Sequence, residues 1–378
     1  MTWKDSLILT EIKGSAIATT YDRRKALNEE VHVFGNLEPI KDRPDIVPSS
    51  WNPLLELNPE SSSYAADIRT LIDGLVRPDP KESKHWSGSL KEIFGGVVAF
   101  VIWQDGESAT LYKALELINN GNAEQIKELA AGMVVCGEAS GLAKTAGNRI
   151  LYSLENSEFS SVRSTINTQL GWLGDPPVRE MLSTSDFRLS DLKKKKFTIF
   201  LFIPTAYLGT YAALLRLITK MIISVFTSGE RLKYKLLLLM DEFYAIGALD
   251  ELKRGIAVLS EYLKIQILVQ DITQIKELYP DCWETFITQS GMVQIFGVSG
   301  ETAKYFAEKL GSIRTTTESS FTETKIRTAQ ELEEELTKSN GLRQIVFRKG
   351  KKPALLNRPP YWKVFPRKSY GRDTYYEG

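Results

Sequence analysis

Short, largely apolar runs bounded by turn signals lie on either side of a long middle stretch whose apolar residues follow a different pattern. Runs of four to eight such residues, bounded by turn signals, have the length of buried strands. The strands predicted from them are Ser6–Leu9, Val31–Phe34, Phe197–Ile203, Leu236–Met240, Gln266–Val269 and Met292–Phe296. Helical periodicity separates the later strands, at Tyr211–Phe226, Leu249–Tyr262 and Ile272–Leu278. Strands alternating with helices predict an α/β fold with a mainly parallel sheet that helices cover on both faces.

The middle stretch, from about residue 64 to residue 182, has the periodicity of helices. Ile68, Leu71, Ile72 and Leu75 follow the i, i+3, i+4, i+7 spacing that places apolar side chains on one helix face. We therefore expect an α/β domain built from two separate parts of the chain, with an all-helical domain inserted between them. The expected boundaries are 1–59 and 183–378 for the α/β domain, and 60–182 for the insertion.

Composition limits the function classes without choosing one. The 378 residues are 43% hydrophobic, which is enough for a large core. The 48 Lys and Arg residues nearly balance the 47 Asp and Glu residues, so any nucleic-acid contact requires a local patch. The two cysteines, Cys136 and Cys282, are too few for a zinc site or a disulfide framework. The apolar runs are far shorter than the roughly 20 residues that cross a bilayer, so we expect no membrane segment in these residues.

The strongest local motif is the run Leu236–Met240, which is followed directly by Asp241 and Glu242. A buried strand that ends in two carboxylates has the form of a Walker B element. The first carboxylate can hold Mg²⁺ through its water shell, and the second can activate a water molecule for phosphoryl transfer. The alternative is that Asp241 caps the next helix while Glu242 is solvated. The motif by itself favours neither of these two interpretations over the other.

A second polar strand end follows one strand later. Gln270 comes directly after the predicted strand Gln266–Val269, and its amide could donate a hydrogen bond to the terminal phosphate of ATP. An ordinary polar residue at a strand end is the alternative. Ligands of open α/β sheets bind beyond the carboxyl ends of neighbouring strands. The two strand ends together therefore favour an ATP site.

The end of the chain is basic after a charged helix predicted at Thr328–Ser339. No acidic residue occurs between Glu335 and Asp373, and aromatic residues are interleaved with the cations. This combination suits single-stranded nucleic acid, through phosphate pairing and base stacking. A solvated terminal strand with charged edges is at least as compatible with the pattern. The candidate nucleic-acid residues are Arg348, Lys349, Lys351 and Lys352.

Several of these segments together resemble the TraG-type coupling proteins of type IV secretion systems. The first part, Ser6–Gly14, is similar to a family strand followed by Asp-Pro-Lys-Gly-Glu, and Trp51–Leu54 is similar to the family's Asn-Pro-Leu element. The later matching segments are Ser164–Leu192, Asp241–Phe243, Gly247, Val269–Ile275, Leu278–Tyr279, Thr302–Tyr305 and Gly350–Pro353. The resemblance spans nearly the whole chain and is weakest in the helical insertion.

The resemblance implies a RecA-like P-loop NTPase core that carries the all-helical insertion. In that family the intact protein is a homo-hexameric ATPase at the cytoplasmic side of the bacterial inner membrane. It passes single-stranded DNA, with relaxosome or effector proteins, to the type IV secretion channel. The implied cofactors are ATP and Mg²⁺. In the implied site Asp241 holds Mg²⁺ through water, Glu242 is catalytic, Gln270 senses the γ-phosphate and Lys13 lies at the nucleotide.

The chain also departs from the family. No Gly-x-x-x-x-Gly-Lys-Ser/Thr loop occurs in the sequence, and Thr10–Ile12 replaces the usual Asp-Pro before Lys13. In the family, the loop and two transmembrane helices come before the strand that corresponds to Ser6–Leu9. We therefore expect a truncated or split product that is inactive as an ATPase by itself. The alternative is a non-catalytic DNA- or substrate-binding remnant of such a motor.

Overall fold

Two units make up the part of the chain that the computed structural model describes, which is residues 2–35, 43–76, 84–138, 140–156, 158–317, 320–337 and 342–373. The first unit contains the described residues up to Glu251, together with Leu259–Ile267 and residues 372–373. The second unit contains Leu252–Val258 and the described residues from Leu268 to Gly371.

The first unit is built on a sheet of five parallel strands in the order β2-β3-β1-β4-β5. β1 is the central strand, where Thr10 lies between Leu201 of β3 and Met240 of β4. This arrangement confirms the predicted α/β class. The strands are β1 Ser6–Glu11, β2 Glu30–Phe34, β3 Phe197–Phe202, β4 Leu236–Met240 and β5 Lys264–Ile267.

Helices cover this sheet, and further helices form a helical region that lies between β2 and β3 along the chain. Between residues 60 and 182, the described residues form helices and no strand, as the periodicity predicted. The helices of the first unit are α1 Ser15–Lys25, α2 Tyr64–Leu75, α3 Lys84–Asp105, α4 Leu111–Asn119, α5 Ala123–Val135, α6 Leu142–Glu155, α7 Phe159–Leu170, α8 Pro176–Met181, α9 Leu189–Leu192, α10 Leu208–Thr227 and α11 Phe243–Ile246; α12, Asp250–Tyr262, contributes to both units.

The alternation of side chains along β1 divides the core into two faces. On one face Leu9 packs with Ile17 and Tyr21 of α1. On the other face of the sheet lies α10, whose Phe226 stacks on Phe197 of β3 with ring centroids 5.6 Å apart. Burial on both faces explains why the strand sequences are almost continuously apolar.

The helical region is joined closely to α10. Gly74 of α2 approaches Leu217 so closely that a Cβ on Gly74 would lie 3.0 Å from the Leu217 Cα. Beside this contact, Nε of the buried Arg216 donates to the carbonyl of Gly74 at 2.9 Å, and Nη2 donates to that of Leu75 at 3.2 Å. Arg216 thereby satisfies carbonyls that the C-terminus of α2 leaves without helical partners.

The segment Thr205–Thr227, which contains α10, is long and apolar enough to cross a membrane by length and composition alone. It is the one such segment in the described residues, and 61% of its most apolar window is buried inside the protein. Arg216 and Lys220 lie within it, and both are buried. Its packing is that of a core helix.

The Trp51–Glu56 segment connects the sheet to the helical region. Asn52 is fully buried; its Nδ2 donates to the carbonyl of Ala109 at 2.7 Å, and its Oδ1 accepts from the amide of Leu54 at 3.0 Å. The Glu56 carboxylate accepts from Trp51 Nε1 at 3.0 Å and from the amide of Leu189 at 2.6 Å. Burial raises the pKa of Glu56. The segment therefore satisfies polar groups from two distant stretches of chain, at Ala109 and at Leu189.

The second unit contains a small antiparallel sheet in the order β10-β9-β6 and a separate two-stranded hairpin, β7-β8. Its strands are β6 Met292–Ile295, β7 Ser312–Thr317, β8 Ser320–Lys325, β9 Arg343–Arg348 and β10 Ala354–Asn357. Its helices are α13 Ile272–Leu278, α14 Trp283–Thr288, α15 Gly300–Leu310, α16 Ala329–Thr337 and α17 Tyr361–Val364.

The prediction that Met292–Phe296 extends the parallel sheet is wrong. β6 pairs antiparallel with β9, with Met292 opposite Arg348 and Ile295 opposite Ile345. Ile295 packs against α15 and α16, while Met292 is exposed. Burial on one face is typical of antiparallel sheets, whereas strands of a parallel sheet are buried on both. The basic tail contains two strands, β9 and β10. A strand with charged edges was one interpretation of this tail, whereas a second strand was not predicted.

Removing the amide of Asn52 should destabilise the first unit. In Asn52→Ala the carbonyl of Ala109 and the amide of Leu54 are left without a buried partner, and we expect a decrease of about 2–4 kcal/mol in the free energy of unfolding. Urea denaturation measures this decrease. Asn120→Ala is the matched control, because the Asn120 amide contacts Glu116 at the surface, and it should change the free energy by less than about 0.5 kcal/mol. Equal effects of the two substitutions would contradict the role given to Asn52.

Candidate active site

The carboxyl ends of β1 and β4 bring acidic residues to the same edge of the sheet. Thr10 is opposite Met240, so the next residues along the two neighbouring strands are Glu11 and Asp241. Glu242 follows Asp241, and Lys13 follows Glu11 by two residues. Lys13 acts electrostatically on both Asp241 and Glu242. The structure therefore brings together three of the four residues predicted to form the nucleotide and catalytic site.

Glu242 has an unusual backbone conformation. Its φ of 55° and ψ of 48° lie in the left-handed region, and it is the one non-glycine residue with positive φ among the described residues. Such a conformation costs about 1–3 kcal/mol and persists where the surroundings enforce it. The buried Phe243 and Ile246 of α11 follow directly and anchor this turn. Glu242 itself is the N-cap residue of α11 and no side chain caps that helix, so the alternative role of Asp241 as a helix cap finds no support.

Burial raises the pKa of Asp241 and of Glu242 above their ordinary values. The charge of Asp241 raises the pKa of Glu242 further, while Lys13 lowers the pKa of both carboxyl groups. Two partly desolvated carboxylates beside a single lysine are stabilised by additional positive charge. The ionised carboxylates at this edge are therefore suited to binding a cation.

The donor chemistry fits Mg²⁺ bound through water. No cluster of three or more His, Cys, Asp or Glu side chains capable of holding a metal ion occurs in the described part of the chain. Mg²⁺ usually retains several waters and uses one or two carboxylates together with substrate phosphates, so it needs no complete protein cage. Asp241, with Glu242 beside it, provides a donor set of this kind.

Glu11 is the residue at this edge that sequence reasoning missed. Its side chain is 3% exposed, and its two carboxylate oxygens accept hydrogen bonds from the amides of Ala16 and Ile17 in the first turn of α1, at 2.5 and 3.0 Å. Burial raises the pKa of Glu11 to about 7 against the opposing effect of these hydrogen bonds. The charge of Asp241 raises the pKa as well. An acidic residue at the end of a buried strand, just before a helix, was the signal available in the sequence.

The end of the described chain reaches the same place. Asp373 is buried, and its Oδ2 accepts a hydrogen bond from Ser15 Oγ at 2.8 Å. Its charge also raises the pKa of Glu11. A carboxylate close to the N-terminus of α1 interacts favourably with the helix dipole. Asp373 therefore adds a further anion beside Glu11.

The remaining predicted site residues lie in the second unit. Gln270 is exposed and lies three residues beyond the end of β5. Its backbone N–H donates to Gln274 Oε1 at 3.0 Å. Its approach to Asp241 stays a prediction. The four candidate nucleic-acid residues are exposed and surround Gly350 in the connection between β9 and β10. This connection with its cations, Arg348, Lys349, Lys351 and Lys352, is called the basic hairpin below.

A parallel sheet with a carboxylate pair at the end of a buried strand defines an α/β protein with a core similar to that of P-loop NTPases. The model of the family described as "Type IV secretory system Conjugative DNA transfer" matches residues 1–372, and the chain belongs to this family. Family membership confirms the resemblance found in the sequence.

Individual relatives agree with this assignment. The chain is 28% identical over 297 residues to the conjugal transfer protein TraG of Escherichia coli, which is 73% of this chain and 46% of that protein. It is 24% identical over 335 residues to VirD4 of Agrobacterium fabrum (strain C58 / ATCC 33970), or 82% of this chain and 46% of that protein. The chain thus spans about half the length of the curated relatives it matches.

Solved structures show the same fold. Unbound TrwBΔN70, a bacterial conjugative coupling protein, superposes with a TM-score of 0.69 over 94% of this chain and 78% of its own, at 12% identity. The plasmid coupling protein TrwB in complex with ADP and Mg²⁺ gives a TM-score of 0.69 with the same coverages, at 13% identity. At such low identity the likeness establishes the fold, which agrees with the predicted core.

Replacing Glu11 should change how stability depends on pH. The Glu11 carboxyl group has a pKa of about 7 in the folded chain and an ordinary value of 4.5. Between these values the unfolded chain releases the proton and the folded chain keeps it, so stability falls as pH rises, by about 3 kcal/mol in total. Glu11→Gln should remove most of this fall, as measured by urea denaturation at a series of pH values.

The surface substitution Glu60→Gln serves as the control for this experiment, because it also removes one carboxylate and Glu60 is exposed. It should retain the decline in stability seen in the parent chain between about pH 4.5 and pH 7. A parent-like decline in Glu11→Gln would show that the Glu11 carboxyl group does not carry the effect.

Proposed function

We propose that this chain is the nucleotide-hydrolysing part of a conjugative coupling protein, which uses ATP to pass single-stranded DNA or protein substrates towards a type IV secretion channel. The observation that carries the proposal is the Asp241–Glu242 pair at the end of β4. It stands beside Lys13 and Glu11 at the carboxyl edge of a sheet with the fold of TrwB. Membership of the conjugative DNA-transfer family supports the assignment to DNA transfer.

Each residue has a distinct task in the proposed reaction. Asp241 holds Mg²⁺ through a water molecule, and Glu242 accepts a proton from the attacking water or orients it. Lys13 limits the repulsion between these carboxylates and the nucleotide phosphates. Gln270 donates a hydrogen bond to the γ-phosphate. When bound, Mg²⁺ neutralises charge on the phosphates.

The proposed assembly follows the family. We propose a homo-hexamer at the cytoplasmic side of the bacterial inner membrane that receives relaxosome or effector proteins and delivers them to the secretion channel. TrwB, with the same fold, has been captured with ADP and Mg²⁺ and with a non-hydrolysable ATP analogue, which supports ATP and Mg²⁺ as the cofactors.

A second candidate function is a DNA- or substrate-binding protein without catalysis. It is favoured by the lack of a Gly-x-x-x-x-Gly-Lys-Ser/Thr loop within these 378 residues, because that loop is the main cradle for nucleotide phosphates. The carboxylate pair and the strained backbone of Glu242 favour the motor, since strain of this kind is concentrated at functional sites.

ATP hydrolysis distinguishes the two candidates. Residues 1–378 alone should show no measurable ATPase, because phosphoryl transfer relies on positioning and charge neutralisation by the phosphate-binding loop. A fusion that supplies a family phosphate-binding loop before β1 should hydrolyse ATP, as followed by phosphate release. In that fusion, Glu242→Gln should bind ATP normally and hydrolyse it more slowly, by a factor of at least about 100. Asp241→Ala should weaken Mg²⁺-dependent binding as well.

Two results would contradict the motor proposal. The first is an active fusion in which neither Asp241→Ala nor Glu242→Gln changes turnover. The second is a folded fusion that binds ATP and Mg²⁺ without hydrolysing it, which would favour the non-catalytic candidate. The mock substitution Glu60→Gln, at an exposed position, controls for removal of a carboxylate.

The basic hairpin is the proposed contact with DNA phosphates. Lys351→Ala/Lys352→Ala should weaken binding of single-stranded DNA by the whole chain. It should also reduce the slope of log affinity against log salt by about 0.7 for each phosphate that the variant no longer binds. Fluorescence anisotropy over a salt series measures both quantities. Lys127→Ala/Lys144→Ala removes the same charge from exposed positions of α5 and α6, and a reduction of equal size there would contradict a specific contact.

A further inference from the structure

A cavity of about 210 Å³ lies beside the basic hairpin, within the second unit. Its apolar lining includes Val293 of β6, Phe306 of α15 and Phe347 of β9. The rings of Phe306 and Phe347 lie against each other, with centroids 5.4 Å apart and planes inclined at 39°. Phe306 is almost fully buried, while Phe347 is half-buried and gives the cavity an accessible aromatic surface.

Cations surround this aromatic surface. Lys309, Arg348 and Lys349 also line the cavity and are exposed, and none of its lining residues in the described part of the chain is acidic. The backbone keeps two of the cations in place, because Arg348 pairs with Met292 in the sheet and the amide of Lys349 donates to the carbonyl of Gly291 at 3.2 Å. An apolar cavity with only positive charge around it is complementary to an anion that carries a ring.

Two hydroxyl groups give the lining a polar element. Ser290 Oγ donates to the carbonyl of Phe286 at 2.5 Å, and Thr288 Oγ1 donates to that of Glu284 at 3.0 Å. Since each hydroxyl proton is already used, the oxygen atoms of Ser290 and Thr288 are left as acceptors. Acceptors of this kind suit the N–H groups at the edge of a nucleobase.

We propose that this cavity is a binding site for one base of single-stranded DNA. The base stacks on Phe347, and the adjoining phosphates pair with Lys309, Arg348 and Lys349. This inference rests on the proposed function for its DNA substrate. It adds a contact with a base to the phosphate contacts of the basic hairpin.

The size of the cavity and its charge both favour this occupant. Pockets that enclose a whole drug-sized ligand have volumes of about 300–1,000 Å³, so this cavity holds a single planar ring and leaves a backbone outside. Single-stranded nucleic acid is bound in this way, with aromatic side chains under the bases and a positive groove along the phosphates. The basic hairpin continues the positive surface from Arg348 and Lys349 to Lys351 and Lys352.

The test compares two strands that differ only in their bases. The whole chain is titrated with a labelled oligothymidylate of about twelve nucleotides, and with an abasic strand of equal length, by fluorescence anisotropy. We expect the parent chain to bind the thymidine strand about tenfold more tightly. Phe347→Leu, which removes the aromatic ring, should abolish this preference and leave the affinity for the abasic strand unchanged. Circular dichroism checks that the variant is folded.

A second variant does not depend on the core tolerating a change at Phe347. Thr288 is exposed at the end of α14, and Thr288→Met extends a non-aromatic side chain over the cavity, which should exclude the base and also abolish the preference for bases. Lys351→Ala/Lys352→Ala is the matched control, which should weaken binding of both strands equally and keep the preference. ATP hydrolysis by the fusion with a phosphate-binding loop should be unchanged in Phe347→Leu, which separates this test from that of the motor.

Three outcomes would overturn the base site. The first is equal affinity of the parent chain for the thymidine and abasic strands. The second is a preference for bases that persists in both Phe347→Leu and Thr288→Met. The third is binding of an acidic, tryptophan-containing peptide that disappears in both variants while the preference for bases remains, which would assign the cavity to a protein partner.

Discussion

The pairing of β1 with β3 in the centre of the sheet is the contact on which the first unit depends. Its partners are far apart in sequence: the amide of Phe197 donates to Ser6 Oγ across 191 residues. The cost of closing so long a loop rises only slowly with its length, by about 0.6 kcal/mol for each doubling. The helical region lies within this loop and contributes its own buried side chains. The chain can therefore contain a large insertion without losing the central strand pair, provided the insertion's two ends meet, as they do around Asn52.

The same strand order determines the chemistry of the sheet edge. Because β4 is the other neighbour of β1, the residues that follow their last paired positions, Glu11 and Asp241, are adjacent carboxylates. Desolvation raises the pKa of both, and the charge of Asp241 raises the pKa of Glu11 further. The N-terminus of α1 stabilises Glu11 by two hydrogen bonds, whereas Asp241 has Lys13 as its opposing charge. These carboxylates therefore make the protein less stable than uncharged residues at the same sheet edge would. Such a loss of stability is common at sites that bind a ligand of opposite charge.

Much of this organisation could be predicted from sequence, because strands buried on both faces are almost purely apolar and stand out from their surroundings. The Asp241–Glu242 pair was found for that reason, at the end of Leu236–Met240. The partner of a short strand is not encoded in its own residues, and Met292–Phe296 was consequently assigned to the wrong sheet. β9 has an arginine at each end and the buried Ile345 and Val346 between them, as the interpretation of the tail as a strand with charged edges allowed, but its pairing with β6 could not be predicted. Glu11 required two facts that the sequence does not state, the start of α1 and the position of β4 beside β1.

The joint between α2 and α10 has a mechanical consequence. Gly74 allows the two helices to pack closely, and the guanidinium of Arg216 in α10 donates hydrogen bonds to the last carbonyls of α2. α10 in turn rests on the sheet through the stacked rings of Phe226 and Phe197. A force applied to the helical region therefore follows a continuous path of packed side chains into β3 and, through its pairing, into β1. Hydrogen bonds, packed rings and strand pairing thus connect α2, through α10 and β3, to β1, the strand that carries Glu11.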